Sequence, residues 1–464
     1  MMKNKITHLF LLVFSVSLLT SCFKDQDDDI NSASTSEIKD FIYRGLDIYY
    51  LYKGDIPILA EDISEEAVTQ FKNSYSTPED FFEALLSPDD RFSVIYSDYR
   101  VLENNLDGIT LNNGMEFGLV SISDTNDVFG YVRYVLPNTS AESEGVTRGM
   151  IFNRIDGTAL SVDNFRELLA PNTYTIGLAN FEAGTLTPLE ETITLTKQEY
   201  TENPVHIVNT IELENNQKVG YLMYNAFNRN FDNDLNNAFA QFQAENITDL
   251  VVDLRYNGGG SIETSNDLAS MITGQFEGQI FTTQVYNQNF TNEERLFNNE
   301  ISTGAGINSL NLNKVYVLTT QSTASASELL IASLRPYIEV IQVGTNTRGK
   351  YQGSVTLYDS PEFSRAGANI NHRYAMQPLI LKSVNANGFT DYDDGLIPTI
   401  QAEEDFANLG ELGNPNETLF AAALNDVSFG RMAPPQPSFI DIELIGESDM
   451  NQPNFQRMYV ETIE

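Results

Sequence analysis

The sequence predicts an α/β protein, and three stretches of different character carry that reading. From about Val205 strands and helices alternate. Val219–Phe227 is apolar and β-rich, Asp232–Glu245 is an amphipathic helix, and Leu250–Leu254 is a buried-looking strand. Ile262–Thr273 then reads as a helix, Val315–Thr319 as a strand, Ser325–Leu334 as a helix and Val340–Val343 as a strand. Alternation of this kind builds an α/β layer. Upstream, residues 105–203 hold short β-rich runs separated by Gly- and Asn-rich turns, and residues 36–104 have helical spacing.

In the helical part, Phe41, Ile42, Leu46, Ile48 and Tyr49 recur at helix-like intervals, with Ser36 and Glu37 as the start. A second helix fits Glu65 to Phe71. A third fits Pro78 to Leu86, where Pro78 suits a first turn and Glu79 and Asp80 favour the helix dipole. The β-rich part offers Phe117–Ile122, Phe129–Val135, Ile151–Ile155 and Glu191–Thr196 as strands. Two of its stretches resemble a PDZ domain. Gly114-Met115-Glu116-Phe117-Gly118-Leu119 stands where a loop holds a peptide carboxylate on backbone N–H groups. Ala141 to Gly157 fits the helix, turn, strand and turn that follow in such domains. The implied chemistry is strand addition, in which a peptide end pairs with an exposed sheet edge, here at Phe117, Gly118 and Leu119. Residues 280–312 are Asn-rich and read as a surface excursion. Residues 427–464, with Pro434, Pro435 and Pro437, read as a loosely packed tail. The organisation is therefore 1–21 signal, 22–35 acidic linker, 36–104 helical region, 105–203 PDZ-like domain, 204–426 α/β domain and 427–464 tail.

Charge narrows the function. Against 27 Lys and Arg stand 65 Asp and Glu, a formal net of −38 in 464 residues. Nucleic-acid binding needs a basic footprint, which is absent. At the N-terminus Lys3 and Lys5 precede an apolar run from Leu9 to Leu19, then Thr20-Ser21-Cys22. This is the pattern of a secretory signal. It is shorter than an ordinary membrane-spanning helix. Leu19-Thr20-Ser21-Cys22 resembles the bacterial lipobox, which implies acylation at Cys22, the single cysteine of the chain. The expected place is the envelope of a Gram-negative bacterium, with a lipid anchor on the outer membrane. The following Phe-Lys-Asp-Gln-Asp-Asp-Asp resembles a surface-export tag, and equally suits a flexible tether.

The chemistry is bounded first by what is missing. Of three histidines, His8 lies in the signal, and His206 and His372 lie in no hydrolase or zinc motif and read as surface or loop residues. No metal and no cofactor is implied. Two segments remain. Thr320 to Glu328 follows a strand with small residues that leave a helix N-terminus open, where N–H groups and the dipole favour developing negative charge. Ser325-x-x-Glu328 is also a plain capping box. Thr347-Arg348-Gly349-Lys350 follows the next strand. Lys350 serves as a base only if burial lowers its pKa from about 10.4 by roughly 3 units.

Together these residues resemble the C-terminal processing peptidases, Ser/Lys-dyad enzymes related to tail-specific proteases and tricorn. The resemblance rests on Ser325-Ala326-Ser327-Glu328, Gly349-Lys350, and Asp253-Leu254-Arg255-Tyr256-Asn257-Gly258-Gly259-Gly260. It implies a ClpP/crotonase-like catalytic domain with an inserted or preceding PDZ-like β domain and a small N-terminal helical region. It implies Ser325 as nucleophile and Lys350 as general base. Gly258, Gly259 and Ala326 would form the oxyanion hole, and Asp253, Arg255 and Glu328 would support the site. Protein or peptide substrates are the implied partners. The loop Asp391-Tyr392-Asp393-Asp394-Gly395 is read as structural. One departure stands out. The family often has Gln four positions after the lysine, where this chain has Ser354, and the nearest Gln is Gln352. Either Ser354 takes over, or Gln352 reaches in, or the base is held less well. The alternative function is a catalytically weak or inactive peptide-binding lipoprotein of the same fold.

Overall fold

The computed structural model describes residues 32–122, 126–182, 184–430 and 442–462. Cys22, the signal and the acidic cluster lie outside the described residues. Among those described, no helix is long and apolar enough to cross a membrane.

The helical region begins with α1 (Thr35–Tyr49). Ser34, not Ser36, is its cap, and Ser34 and Glu37 form a reciprocal capping box. Helix α2 (Glu65–Asn73) is capped by Ser64, and α3 (Pro78–Glu83) by Thr77. Phe41, Ile42, Leu46, Phe81 and Phe82 are fully buried and join the core of the α/β domain. The region is thus a flank of the catalytic body rather than a separate unit.

The β domain follows, with β1 (Met115–Ile122), β2 (Val128–Val135), β3 (Ile151–Ile155), β4 (Thr173–Glu182) and β5 (Thr185–Thr196) paired antiparallel in chain order. Its core is built on Phe117, Leu119, Phe152, Ile155 and Ile176.

The α/β body starts at β6 (Val205–Glu212), antiparallel to β7 (Lys218–Tyr224). Helix α4 (Asp232–Glu245) leads to β8 (Asp249–Asp253). Strand β9 (Gly260–Ser261) leads into α5 (Ile262–Thr273), which Ser261 caps and Gly274 ends in a left-handed conformation. Strands β10 (Ile280–Tyr286) and β11 (Glu293–Leu296) replace the expected surface excursion with a hairpin. Then come β12 (Lys314–Thr319), α6 (Ala326–Leu334), β13 (Glu339–Gly344), β14 (Gln352–Ser354), β15 (Leu379–Val384), β16 (Ile400–Gln401) and α7 (Thr418–Phe429). One sheet runs β6-β7-β8-β12-β13-β16 and is parallel from β7 onward. Strand β8 is buried along its whole length, which is why it reads as an uninterrupted apolar run between acids.

The reading of 427–464 as a loose tail is overturned. Residues 442–447 form β17 on the outer edge of β1, and residues 458–459 form β18. Strand β18 lies between β9 and β14 in a second sheet, β9-β18-β14-β15-β10-β11. Backbone donors and acceptors on two strand edges recruit it, and sequence patterning does not register so short a strand.

Candidate active site

Strands β8, β12 and β13 run parallel, and the loops at their carboxyl ends carry the candidate residues to one place. Such strand ends are where α/β sheets present their binding crevices. Ser325 stands at the N-terminus of α6 with φ 61° and ψ −117°. A non-glycine residue in that conformation stores strain of about 1–3 kcal/mol, which only a tightly determined surrounding maintains. Here the surrounding is explicit. Ala324 N–H donates to Asn257 O at 3.1 Å and Ser327 Oγ to the same carbonyl at 3.0 Å. Thr323 Oγ1 donates to Leu254 O at 2.8 Å. The serine loop is therefore stitched to the Asp253–Gly260 loop.

That second loop brings Gly259 against the serine. A Cβ on Gly259 would stand 2.5 Å from Ser325 Cβ and 3.0 Å from Ala326 N, and its φ is +110°. Glycine is required here for both space and conformation. Of the expected oxyanion residues, Gly259 and Ala326 thus stand beside Ser325, while Gly258 lies against Gln456. Gly259 N–H is directed at Asn257 Oδ1, 2.9 Å away.

Lys350 is fully buried, and its side chain ends over the Phe92 ring, 4.6 Å from the centroid. Burial holds its ammonium well below its ordinary pKa, and the nearby Arg457 lowers it further against Asp90 and Glu328, which oppose the shift. This is the environment a lysine base needs. Glu328 fixes the main chain of the lysine loop. It accepts from Ser325 N at 2.8 Å, Gly349 N at 2.7 Å and Lys350 N at 2.9 Å, and from Thr347 Oγ1. Burial pushes its carboxyl up to about 7, and these donors act in the opposite direction. The capping residue thus joins both halves of the candidate dyad. The Asp391–Gly395 loop packs on the lysine loop. A Cβ on Gly349 would stand 2.1 Å from Asp393 O, so this loop forms the wall behind Lys350.

The two candidates for the missing Gln do not reach the lysine. Ser354 Oγ donates to Met458 O at 3.1 Å, and Gln352 Nε2 donates to Tyr52 Oη at 3.0 Å. Asp253 and Arg255 likewise stand behind the site. Arg255 is buried with Asp253, Glu404 and Glu417 around it. His206 lies on β6 and His372 pairs with Asp359 at 2.9 Å. His372 lies in a loop, as expected, with its side chain 5% exposed, whereas His206 is part of a strand. Neither histidine enters the site.

Sequence reasoning missed four participants. Phe92, from the helical region, covers the lysine. Asn257 holds the glycine loop, with Nδ2 donating to Tyr224 O at 2.8 Å. Thr347 anchors Leu396 N at 2.7 Å. Gln456 accepts at its carbonyl from Ser325 Oγ at 3.0 Å and from Lys350 Nζ at 2.7 Å. Only Asn257 had a legible signal, its place within the Asp-Leu-Arg-x-Asn-x-Gly-Gly stretch.

The edge of β1 expected to receive a peptide at Phe117, Gly118 and Leu119 is not open. Strand β17 pairs with it, Gly446 opposite Leu119 and Glu447 opposite Gly118.

Residues 218–366 match Peptidase family S41, and residues 37–94 match the Peptidase S41 N-terminal domain. A carboxyl-terminal-processing protease of Synechocystis is 25% identical over 377 residues, covering 79% of this chain and 78% of that protein. A chloroplastic carboxyl-terminal-processing peptidase 2 of Arabidopsis thaliana is 26% identical, covering 62% of this chain and 53% of that protein. Among solved structures, a candidate S41 protease from Bacteroides fragilis superposes with a TM-score of 0.66 at 28% identity, covering 84% of this chain and 97% of that one. Both family S41 domains are thus present in this order, which supports a serine-type peptidase similar to the carboxyl-terminal-processing proteases.

Proposed function

We propose that the chain is an endopeptidase in which Ser325 is the nucleophile and Lys350 the general base. The observation that carries this is the pairing of a buried lysine, its pKa lowered by desolvation, with a strained serine at a helix N-terminus on one shared acceptor. Neutral Lys350 takes the Ser325 proton as Oγ attacks a peptide carbonyl carbon. The resulting oxyanion is received by the amides of Gly258 and Ala326, at the positive end of α6, Gly259 N–H being turned to Asn257 Oδ1. The protonated lysine then gives its proton to the leaving amine, and water releases the acyl group. Residues 105–203 act as a PDZ-like domain that takes substrate C-termini. The edge they would use is the one β17 now lines, so capture of a terminus requires exchange with that strand.

The test is cleavage of an unfolded protein by the intact chain and by Ser325→Ala. We expect the variant to lose at least about a thousandfold in kcat/KM, as removal of a covalent nucleophile does. Equal rates for both proteins would sink the assignment.

The lipobox-like segment supports a second element, anchoring of the protein by a lipid on Cys22 to the outer membrane of a Gram-negative envelope. Cells expressing Cys22→Ala should release the protein from the membrane fraction. Retention there would remove Cys22 as the anchor.

A further inference from the structure

Residues 442–462 run through three places that a substrate would occupy. First, β17 lies antiparallel on β1, with Ile442 opposite Ile122, Leu444 opposite Val120 and Glu447 opposite Gly118. Ser448 N–H continues the ladder to Phe117 O at 3.0 Å. Second, after a series of turns the chain reaches Ser325 and Lys350. Gln456 presents its carbonyl to both from a left-handed conformation with φ 49°. Its amide lies against Gly258, where a Cβ would be 3.3 Å from Gln456 N. Third, β18 fills a slot one strand wide, parallel to β9 on one side and β14 on the other. Val460 N–H donates to Ser354 O at 2.9 Å.

The strand ladders on β1 and in the slot run through main-chain groups, and the side chains of Glu447 (to Arg133), Ser448 (to Glu116) and Glu461 (to Ser261) add to them. Any extended peptide can make the ladder contacts, so the occupant is exchangeable in principle. Without β18, the edges of β9 and β14 face each other across two strand spacings, about 9–10 Å, which is the width an incoming strand needs.

Gln456 does not sit as a substrate sits. For attack, a carbonyl carbon must face Ser325 Oγ with its oxygen turned to the oxyanion amides. Here the oxygen itself points at the nucleophile and the base, and takes a hydrogen from each. Neither hydrogen bond leads to the other catalytic group, so the proton path from serine to lysine is interrupted.

Resting on the reading of Ser325 and Lys350 as a catalytic pair, we propose that residues 442–462 are an intramolecular occupant of the substrate path. They hold the peptidase latent until an extended protein segment displaces them from β1 and from the β9–β14 slot. The natural displacing ligand is a protein chain that offers both a strand for β1 and a continuation long enough to reach the slot.

The experiment keeps the full chain through folding. A recognition site for an unrelated, sequence-specific protease is placed within residues 431–441 and cut after purification. The cut protein is then incubated with saturating unfolded casein and passed over gel filtration. We expect residues 442–462 to be lost, circular dichroism to stay folded and kcat/KM on casein to rise about tenfold or more, the ratio for a protein more than nine-tenths closed. Adding a synthetic peptide of residues 442–462 should return the rate to the uncut value, and a fluorescent copy should rebind by anisotropy. In the uncut chain, Leu444→Asp should raise the rate in the same direction by weakening β17 alone.

The proposal is overturned if the cut segment stays bound through casein treatment, if its loss unfolds the protein, or if its loss leaves the rate unchanged. If neither form cleaves casein while the fluorescent peptide binds reversibly, occupancy of the path stands and the hydrolase reading falls.

Discussion

Lys350→Met is expected to abolish turnover by roughly ten-thousandfold or more, the scale seen when the base of a nucleophilic pair is removed, and at the same time to raise the melting temperature. The two effects share one cause. The lysine is fully buried beside Phe92, and desolvation holds its amine well below its ordinary pKa. An unfolded lysine has a pKa of about 10.4 and is charged at neutral pH. Between the lowered native value and about 10.4, folding must therefore expel a proton, which costs free energy. Methionine fills a similar volume without that cost and retains the contact with the ring. Gln456 O keeps a donor in Ser325 Oγ. A gain of about 1–2 kcal/mol is expected, in line with apolar replacements of buried charge.

The sign with pH follows. Because the unfolded state binds more protons in that window, wild-type stability rises with pH, and its deficit against Lys350→Met narrows as pH approaches about 10.4. Calorimetry across pH reads this directly. A variant that melts below wild type would identify Lys350 as a charged structural partner and remove it as a neutral base. Activity has the same direction. Turnover needs neutral Lys350 and ionised Glu328, whose carboxyl is pushed up to about 7, so kcat/KM should fall as pH drops through that region. A profile flat from about pH 6 to 9 would contradict both roles.

Arg255→Met should destabilise the protein by about 3–5 kcal/mol, the cost of stranding buried charge. Arg255 has no exposed surface. Its Nη1 and Nη2 donate to Glu417 at 2.7 and 2.9 Å, its Nε to both oxygens of Asp253 at 3.0 Å, and Nη1 to Glu404 at 3.1 Å. Removing the guanidinium strands the buried Asp253 and Glu417 carboxylates, while Glu404 keeps its pair with Arg148. Burial alone would raise the Glu404 carboxyl, but Arg148 and Arg255 bring it down to about 2. A folded pKa below the unfolded value contributes stability above roughly pH 4.3 that is lost as pH falls towards 2. The gap between wild type and variant should thus be full at neutral pH and shrink in acid. Urea denaturation at pH 7 and pH 4 measures it. A loss under about 1 kcal/mol, the range of a surface pair, would show that water reaches the cluster. Activity should fall as well, because Thr320 Oγ1 and Thr323 Oγ1 tie the serine loop to Arg255 O and Leu254 O.

Much of this was legible before any coordinates. The alternation after Val205 gave strands and helices close to those observed, because buried parallel strands such as Asp249–Asp253 carry continuous apolar runs and α6 is mostly apolar and buried on all sides. The segments around Asp253, Ser325 and Lys350 are local, and their order along the chain suffices to mark them. Phe92 was not legible, since nothing in a lone phenylalanine tells which distant ammonium it will cover. The role of Glu328 was half legible. Its spacing from Ser325 marks a cap, while its bonds to Gly349 and Lys350 arise only when two loops meet. The strands at 442–447 and 458–459 were misread as tail. Their stabilisation comes from sheet edges about one hundred to more than three hundred residues away, and short strands of that kind carry little pattern of their own.

By itself the sequence determined the α/β class, the order of the parts and the residue types able to do the chemistry, because periodicity, turn residues and motif spacing are properties of neighbours in the chain. Only the tertiary structure decided whether Lys350 is buried, what orients it, and that Gln456 lies between it and Ser325. Desolvation and edge pairing depend on what the rest of the chain brings alongside, and in this protein residues 32–122 and 442–462 bring it.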